Sequence, residues 1–226
     1  MKILKIMMIL LLLTSCSDKK TEKKLTEFDK ILGKENSETL HLLVSEFEND
    51  FLKRQYPNLD IKSGYEKFVT EISENKIEFV EFSEKSRNLF YESKLRLEIY
   101  CVNDSTWIEK NPWNDKTFLV KGRTKCLNPD GTFENGSMEM PFNENEITKD
   151  SIKEKYKYFV ESNYNGKYLK ALNSISSKSE FLKSFYKIRT DFGVIESQLI
   201  AEQMLRYKVD FDNYYIKRLV IIELRY

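Results

Sequence analysis

The sequence predicts a mainly α fold: one irregular helical domain with a loop-rich central segment that allows one short β-hairpin. Three observations support this prediction. Apolar residues recur at helical spacing in both halves of the chain. Turn-forming Asn, Pro and Gly residues concentrate between residues 94 and 140. The 226 residues are 41% hydrophobic and 13% aromatic, which is enough for one ordinary domain with a substantial core.

Helical patterns in the first half begin and end at recognisable residues. An apolar stripe over residues 25–32 stops at Gly33, a residue well suited to ending a helix. A second pattern covers residues 40–51, and Asp60 is placed to cap a third that ends near Ile72. These three patterns predict a helical N-terminal half.

The central segment changes character. Apolar and polar residues alternate over residues 94–102, which is the period of a β-strand. Turn signals follow at Asn111-Pro112, over residues 128–131 and at Asn135-Gly136. We therefore expect residues 94–140 to be irregular, with one hairpin that pairs residues 94–102 with residues 117–127.

Helical periodicity returns in the last third of the chain, where Thr148 or Asp150 can cap the first helix. The final run, residues 214–226, contains the β-branched residues that are typical of a buried strand. Its length favours a buried helix instead.

The first sixteen residues have the pattern of an export signal. Lys2 and Lys5 precede an apolar run over residues 6–13. This run is shorter than the roughly 20 residues that span a bilayer, and its length is typical of an export signal. Leu13-Thr14-Ser15-Cys16 then resembles the lipobox of bacterial lipoproteins. The resemblance implies that Cys16 receives a diacylglyceryl group through a thioether. It also implies cleavage before Cys16 and acylation of the new amine.

This resemblance sets the expected domain organisation and location. Residues 1–15 would be a cleaved signal peptide, residues 16–26 the lipidated Cys16 with a polar tether, and residues 27–226 a single mostly helical domain. The protein would lie in the bacterial cell envelope, with the membrane as its partner through Cys16. No Asp directly follows Cys16, which tilts the expectation towards the outer membrane. The alternative is an uncleaved N-terminal anchor in which the cysteine is incidental.

Lipidation of Cys16 would leave Cys101 and Cys126 as the remaining cysteines. In an exported chain they can form a disulfide, and closing that loop would stabilise the fold by about 3 kcal/mol on the chain-entropy argument. Two separate buried thiols agree equally well with the sequence.

The sequence offers few signs of catalysis. His41 is the only histidine, which disfavours multi-histidine metal centres, and we expect no metal, no cofactor and no catalytic residue. The 37 Lys and Arg residues nearly balance the 36 Asp and Glu residues, so a nucleic-acid partner is not expected.

Trp107 and Trp113 form the candidate binding surface, because Trp suits contacts that are half apolar and half wet. Aromatic residues are also common in protein cores, so burial of these tryptophans in the core is the alternative. The leading hypothesis is a non-enzymatic binding or structural role towards another envelope protein or a glycan. The alternative is an envelope hydrolase that uses paired Asp and Glu carboxylates near the tryptophans.

Three short segments carry weaker resemblances. Asn165-Gly166-Lys167-Tyr168 and the helical close at residues 216–220 resemble small uncharacterised helical bacterial lipoproteins, which implies no activity. Asp104-Ser105-Thr106 and Asp150-Ser151-Ile152 resemble a short O-glycosylation motif of some exported bacterial proteins. The second of these is also a natural helix start.

The lipobox predicts that Cys16→Ala releases the protein from the membrane, because acyl chains on Cys16 would supply the anchoring. Fractionation of cells into membrane and soluble material measures this, with Ser17→Ala as a control that leaves the lipobox intact. A Cys16→Ala protein as tightly membrane-bound as the wild type would contradict the prediction.

Overall fold

The computed structural model of the protein describes residues 25–76, 83–143 and 145–225. It is 57% helical and 18% strand, with a four-stranded antiparallel sheet. This is a mixed α/β fold, so the prediction of a mainly α domain with at most one short hairpin is wrong. In the ranges described, no helix combines the length and the apolar character that crossing a membrane requires.

Six helices precede the sheet in the described part of the chain. They are α1 (Glu27–Leu32), α2 (Lys34–Glu46), α3 (Leu52–Gln55), α4 (Ile61–Ser73), α5 (Glu84–Tyr91) and α6 (Lys94–Ile99), with a π-helical turn, Phe47–Phe51, between α2 and α3. Thr26 caps α1 and forms a capping box with Asp29, while Gly33 ends α1 with a φ of +89°. Asp60 caps α4 as the sequence predicts, by accepting the Ser63 N–H.

The sheet and the remaining helices follow. They are β1 (Tyr100–Lys110), β2 (Phe118–Leu127), β3 (Phe133–Phe142), α7 (Lys149–Lys157), β4 (Val160–Ser162), α8 (Lys167–Ile175), α9 (Glu180–Phe192), α10 (Ser197–Arg206) and α11 (Tyr214–Leu219), and α11 continues as a π-helical segment, Val220–Arg225. The order of strands in the sheet is β3-β2-β1-β4, and every neighbouring pair is antiparallel. Residues 214–225 are therefore helical, as the length of the final run predicts.

The hairpin prediction fails in its first strand. Residues 94–99, expected to be extended, form α6, in which Leu95, Glu98 and Ile99 are buried at helical spacings of three and four. Six residues cannot distinguish the two periods, because Leu95 and Ile99 fit both. The strand that pairs with β2 begins only at Tyr100, and β3 was predicted to be irregular.

Two hydrophobic clusters form among the described residues. The main one lies among the helices and includes fully buried Leu32, Phe68 and Ile222. The smaller one lies between α7 and one face of the sheet. Its buried members are Val120, Phe142, Ile152 and Tyr156.

A buried ionic network joins three parts of the helical body. The Arg189 side chain is fully buried, and its Nε donates to Glu223 Oε1 over 3.2 Å. Tyr168 Oη donates to the same oxygen over 2.6 Å, and Arg189 Nη1 donates to Ser162 Oγ of β4. Burial and the charge of Glu223 raise the pKa of Tyr168 well above its usual value. Tyr168, from residues 165–168, thus contacts the π-helical segment that closes the described chain.

One buried turn joins the helical body to the sheet. Asn163 Nδ2 donates to the carbonyl oxygens of Leu97 and Leu127, each over 2.8 Å. Asn163 Oδ1 accepts the backbone N–H of Gly166 over 3.0 Å. Glu98 Oε2 accepts the Lys167 N–H over 2.8 Å and so caps the first turn of α8. The Asn-Gly-Lys segment is a structural joint.

Gly166→Ala should destabilise the protein strongly. A Cβ there would overlap the Glu98 carbonyl oxygen and lie 2.9 Å from its carbon, so the backbone of the joint would have to move. We expect a loss of about 2 kcal/mol or more of unfolding free energy, measured by chemical denaturation.

Gly64→Ala is the matched control. Gly64 lies inside α4, and a Cβ there would be an ordinary 3.5 Å from Leu52 Cδ1 of α3. Replacing this helical glycine should stabilise the fold by about 0.5–1 kcal/mol. Equal stability of the two variants would contradict the joint described above.

Candidate binding surface

One face of the three long strands presents exposed polar and charged side chains, while Leu119 on the same face is buried. Side chains alternate along β2, so Val120 points to α7 while Lys121 points away from it. We call the side away from α7 the outer face. Its register positions are Ser105, Trp107 and Glu109 on β1, Lys121, Arg123 and Lys125 on β2, and Asn135, Ser137 and Glu139 on β3.

The centre of the outer face is a row across three strands. Trp107 pairs in register with Lys121, which pairs with Glu139. Lys121 Nζ lies 2.8 Å from Glu109 Oε2 and 3.7 Å from Glu139 Oε2. Trp107 Nε1 donates to Glu109 Oε1 over 2.8 Å. The indole, which is 39% exposed, is thus held by a carboxylate that is itself bound to a lysine.

The next row carries a second ion pair. A β-bulge between Asn103 and Ser105 inserts Asp104 into β1. The Arg123 guanidinium donates to Asp104 Oδ2 from Nη2 over 2.6 Å and from Nε over 2.9 Å. Further along β2, Lys125 Nζ lies 4.0 Å from the centre of the Phe133 ring.

The charges of the outer face compensate one another. The outer face carries three cations on β2 and three carboxylates, those of Asp104, Glu109 and Glu139, on the two flanking strands. Lys121 and Arg123 form the ion pairs, and Lys125 lies over the Phe133 ring. Hydrogen bonds from Lys121 and then from Trp107 lower the pKa of Glu109, and the hydrogen bond to Glu109 raises the pKa of Lys121. The face is therefore polar and rich in donors and acceptors, without an excess of either sign.

Trp113 lies at the tip of the β1–β2 hairpin and is 80% exposed. The tip is ordered by Asn111, whose Oδ1 accepts the Trp113 N–H over 3.0 Å and whose Nδ2 donates to Thr117 Oγ1 over 2.8 Å. Both tryptophans predicted as a binding surface thus belong to one hairpin and reach solvent. Neither belongs to the two hydrophobic clusters.

Cys101 and Cys126 form a disulfide at the base of this hairpin. The bridge crosses from β1 to β2 close to the three residues through which β1 also pairs with β4. The structure thus contains the first of the two arrangements that the sequence left open. Cys16, the predicted lipidation site, lies outside the described residues.

A cleft of about 440 Å³ lies between the β1 bulge and α7, beside the outer face. It contains the carboxylates of Asp104, Asp150 and Glu154. Asp104 binds Arg123, and Glu154 Oε1 lies 3.3 Å from Lys157 Nζ. Two of the three carboxylates thus pair with cations.

The other sequence-derived candidates are dispersed. His41 is exposed on α2. Ser105 and Ser151, the hydroxyl residues of the two short glycosylation-like motifs, lie on β1 and in the first turn of α7. Among the residues that the structure describes, no group of three or more His, Cys, Asp and Glu side chains is arranged to hold a metal ion.

Sequence reasoning found the tryptophans but missed their charged neighbours. The charged neighbours on β2 could have been found from the sequence, because Lys121, Arg123 and Lys125 stand at every second position and so share one face of a strand. The predicted hairpin included these residues, but its two faces were not assigned. The third strand was hidden by Asn135-Gly136, a turn signal that here lies within β3. Gly136 is required by packing, because a Cβ would lie 2.6 Å from Thr124 Oγ1.

Comparison of the chain with protein-family models, with curated proteins and with solved structures gives no match.

The Trp107–Glu109 hydrogen bond predicts a pH-dependent fluorescence signal. Because Lys121 and Trp107 lower the pKa of Glu109, its carboxylate stays ionised below the ordinary glutamate pKa of about 4.3. The bond is then lost as the pH falls through the lowered pKa. In a Trp113→Phe variant, which leaves Trp107 as the single tryptophan, emission should change with a midpoint below about 4.3.

Glu109→Gln in the same Trp113→Phe background is the control and should remove the transition, because the amide does not titrate. A midpoint above the ordinary glutamate pKa, or a transition that survives Glu109→Gln, would contradict the assigned contact.

Proposed function

We propose that this protein is a lipid-anchored protein of the bacterial cell envelope with a non-enzymatic binding role. In this proposal, the outer face and the hairpin tip contact another envelope component, either a protein or a glycan. The observation that carries the proposal is the exposure of both tryptophans, Trp107 and Trp113, on one hairpin. Tryptophan is enriched where surfaces bind partners, because it buries a large apolar area and keeps one hydrogen-bond donor.

The way the hairpin is held supports a binding role. Its base is cross-linked by Cys101 and Cys126, and β2 is paired along its length with both β1 and β3. The indole of Trp107 is further oriented by Glu109. Groups held in place before a partner arrives lose less conformational entropy on binding, which favours affinity.

Two features support the envelope location. The first is the lipobox, Leu13-Thr14-Ser15-Cys16, which would anchor the chain through Cys16. The second is the disulfide, because disulfides persist mainly in oxidising compartments outside the cytoplasm. We place the anchor in the outer membrane as part of the same proposal.

The charge pattern supports the class of partner. Because each cation on β2 has a carboxylate or a ring as its neighbour, the outer face lacks the basic excess that nucleic acid requires. Its donors and acceptors suit the hydroxyl and amide groups of a glycan or of a protein surface.

Trp113→Ala and Trp107→Ala should each weaken binding by about tenfold or more, as expected for central interface tryptophans. The measurement is retention of detergent-solubilised envelope components by the immobilised full-length protein, with bound protein and glycan quantified separately.

Phe192→Ala is the matched control, since Phe192 is an exposed aromatic residue (76% exposed) at the end of α9 and is not part of the hairpin. It should leave binding unchanged, and all three variants should keep the unfolding midpoint of the wild type. Unchanged retention by a Trp107→Ala, Trp113→Ala double variant would refute the proposed surface.

A further inference from the structure

The strand β3 leaves one edge of the sheet open. It lies at the end of the strand order, and among the described residues it pairs with β2 alone. The pairing is continuous from Phe133 to Phe142, and nearly all of the strand is exposed. A long exposed edge presents backbone N–H and C=O groups that can pair with another strand.

The disulfide identifies which backbone groups of β3 face outward. Residues in an antiparallel ladder alternate between hydrogen-bonded pairs and non-hydrogen-bonded pairs, and the latter have Cα atoms about 4.5 Å apart. Cys101 and Cys126 lie on neighbouring strands with Cα atoms 4.3 Å apart, which is the non-hydrogen-bonded spacing. The N–H and C=O groups of Cys126 therefore point away from β1, towards Glu134 of β3.

Alternation then gives the direction at every position of β3. Even-numbered residues direct their N–H and C=O groups to β2, and odd-numbered residues direct theirs to the open side. Pro141 agrees with this phase, because it pairs with Leu119 and has no N–H to give to β2. The open edge thus presents both backbone groups at Phe133, Asn135, Ser137 and Glu139.

This edge has little of the usual protection against strand pairing. Natural edge strands are commonly protected by lysines, by bulges or by proline near the middle. The sequence of β3 contains no Lys or Arg, its register with β2 has no shift, and its only proline, Pro141, is next to its last residue. Its two charges are the carboxylates of Glu134 and Glu139.

We propose that β3 pairs antiparallel with β3 of a second copy of this chain, centred on Ser137. Only odd-numbered residues have free backbone groups, so an odd residue of one copy must face an odd residue of the other. Glu134 can then never lie directly opposite Glu139. Centring on Ser137 or on Met138 gives the longest overlap, nine residues of each strand, and only the Ser137 centre pairs all five odd positions of β3.

The side chains of this register are complementary. Asn135 of each copy faces Glu139 of the other, so an amide donor meets a carboxylate, twice by symmetry. Glu134 faces Met140, and the exposed Phe133 faces Pro141. The carboxylates are thus kept apart, whereas a register that places Glu139 opposite Glu139 would oppose like charges and shorten the overlap.

Cysteine cross-linking tests this register in the full-length protein in detergent micelles. In the proposed pairing, the two Ser137 Cα atoms lie about 5.5 Å apart, which a disulfide can bridge. The two Glu134 positions are offset by six residues, or roughly 20 Å, which it cannot bridge. Ser137→Cys should therefore form a covalent dimer under mild oxidation at least about tenfold faster than Glu134→Cys.

Both positions are exposed on the same strand, so collision alone would cross-link them at similar rates. The wild type, treated in the same way, measures any background through other cysteines. Non-reducing electrophoresis and intact mass quantify the dimer. Equal rates for the two variants, or no dimer of Ser137→Cys above the wild-type background, would overturn the proposal. This outcome is independent of the tryptophan experiment, because it needs no envelope component.

Discussion

The position of the sheet relative to the helical body depends on the hydrogen bonds of the Asn163 side chain. This residue is 1% exposed, and its two donors bind carbonyl oxygens at the end of α6 and the end of β2. Its oxygen accepts two N–H groups of the turn that leads into α8. A buried amide that satisfies both its donors and its acceptor fixes position more sharply than apolar packing does. The neighbouring Gly166 allows this close approach because a side chain there would meet Glu98.

The sequence predicts the helices better than the sheet, for physical reasons. Helices α1 and α4 are specified locally, by Thr26 and Asp60 at their starts, so pattern reading finds them. By contrast, β3 has almost no buried side chain, and its structure comes from pairing with β2, which no local pattern in FENGSMEMPF reveals. Of the candidate surface, the tryptophans were predictable by residue type, whereas the ion pairs around them depend on register.

The molecule uses paired charges in two different settings. Deep in the helical body, Arg189 and Glu223 are both excluded from water, so removing either would leave an uncompensated buried charge, at a cost of about 3–5 kcal/mol. On the outer face, Arg123 and Asp104 remain in contact with solvent, and such a pair contributes about 1 kcal/mol or less to stability. The first setting fixes the fold. The second leaves its groups free to exchange partners at little cost.

The disulfide between Cys101 and Cys126 also bears on the timing of folding. The bridge forms only where thiols are oxidised, and it closes the loop that contains the whole β1–β2 hairpin. On the export route proposed above, the reduced chain in the cytoplasm would lack about 3 kcal/mol of the stabilisation that oxidation supplies. Lower stability before oxidation would favour passage of the unfolded chain across the membrane. The same bond that makes the tryptophan hairpin rigid would then also delay its assembly until the protein reaches its place of work.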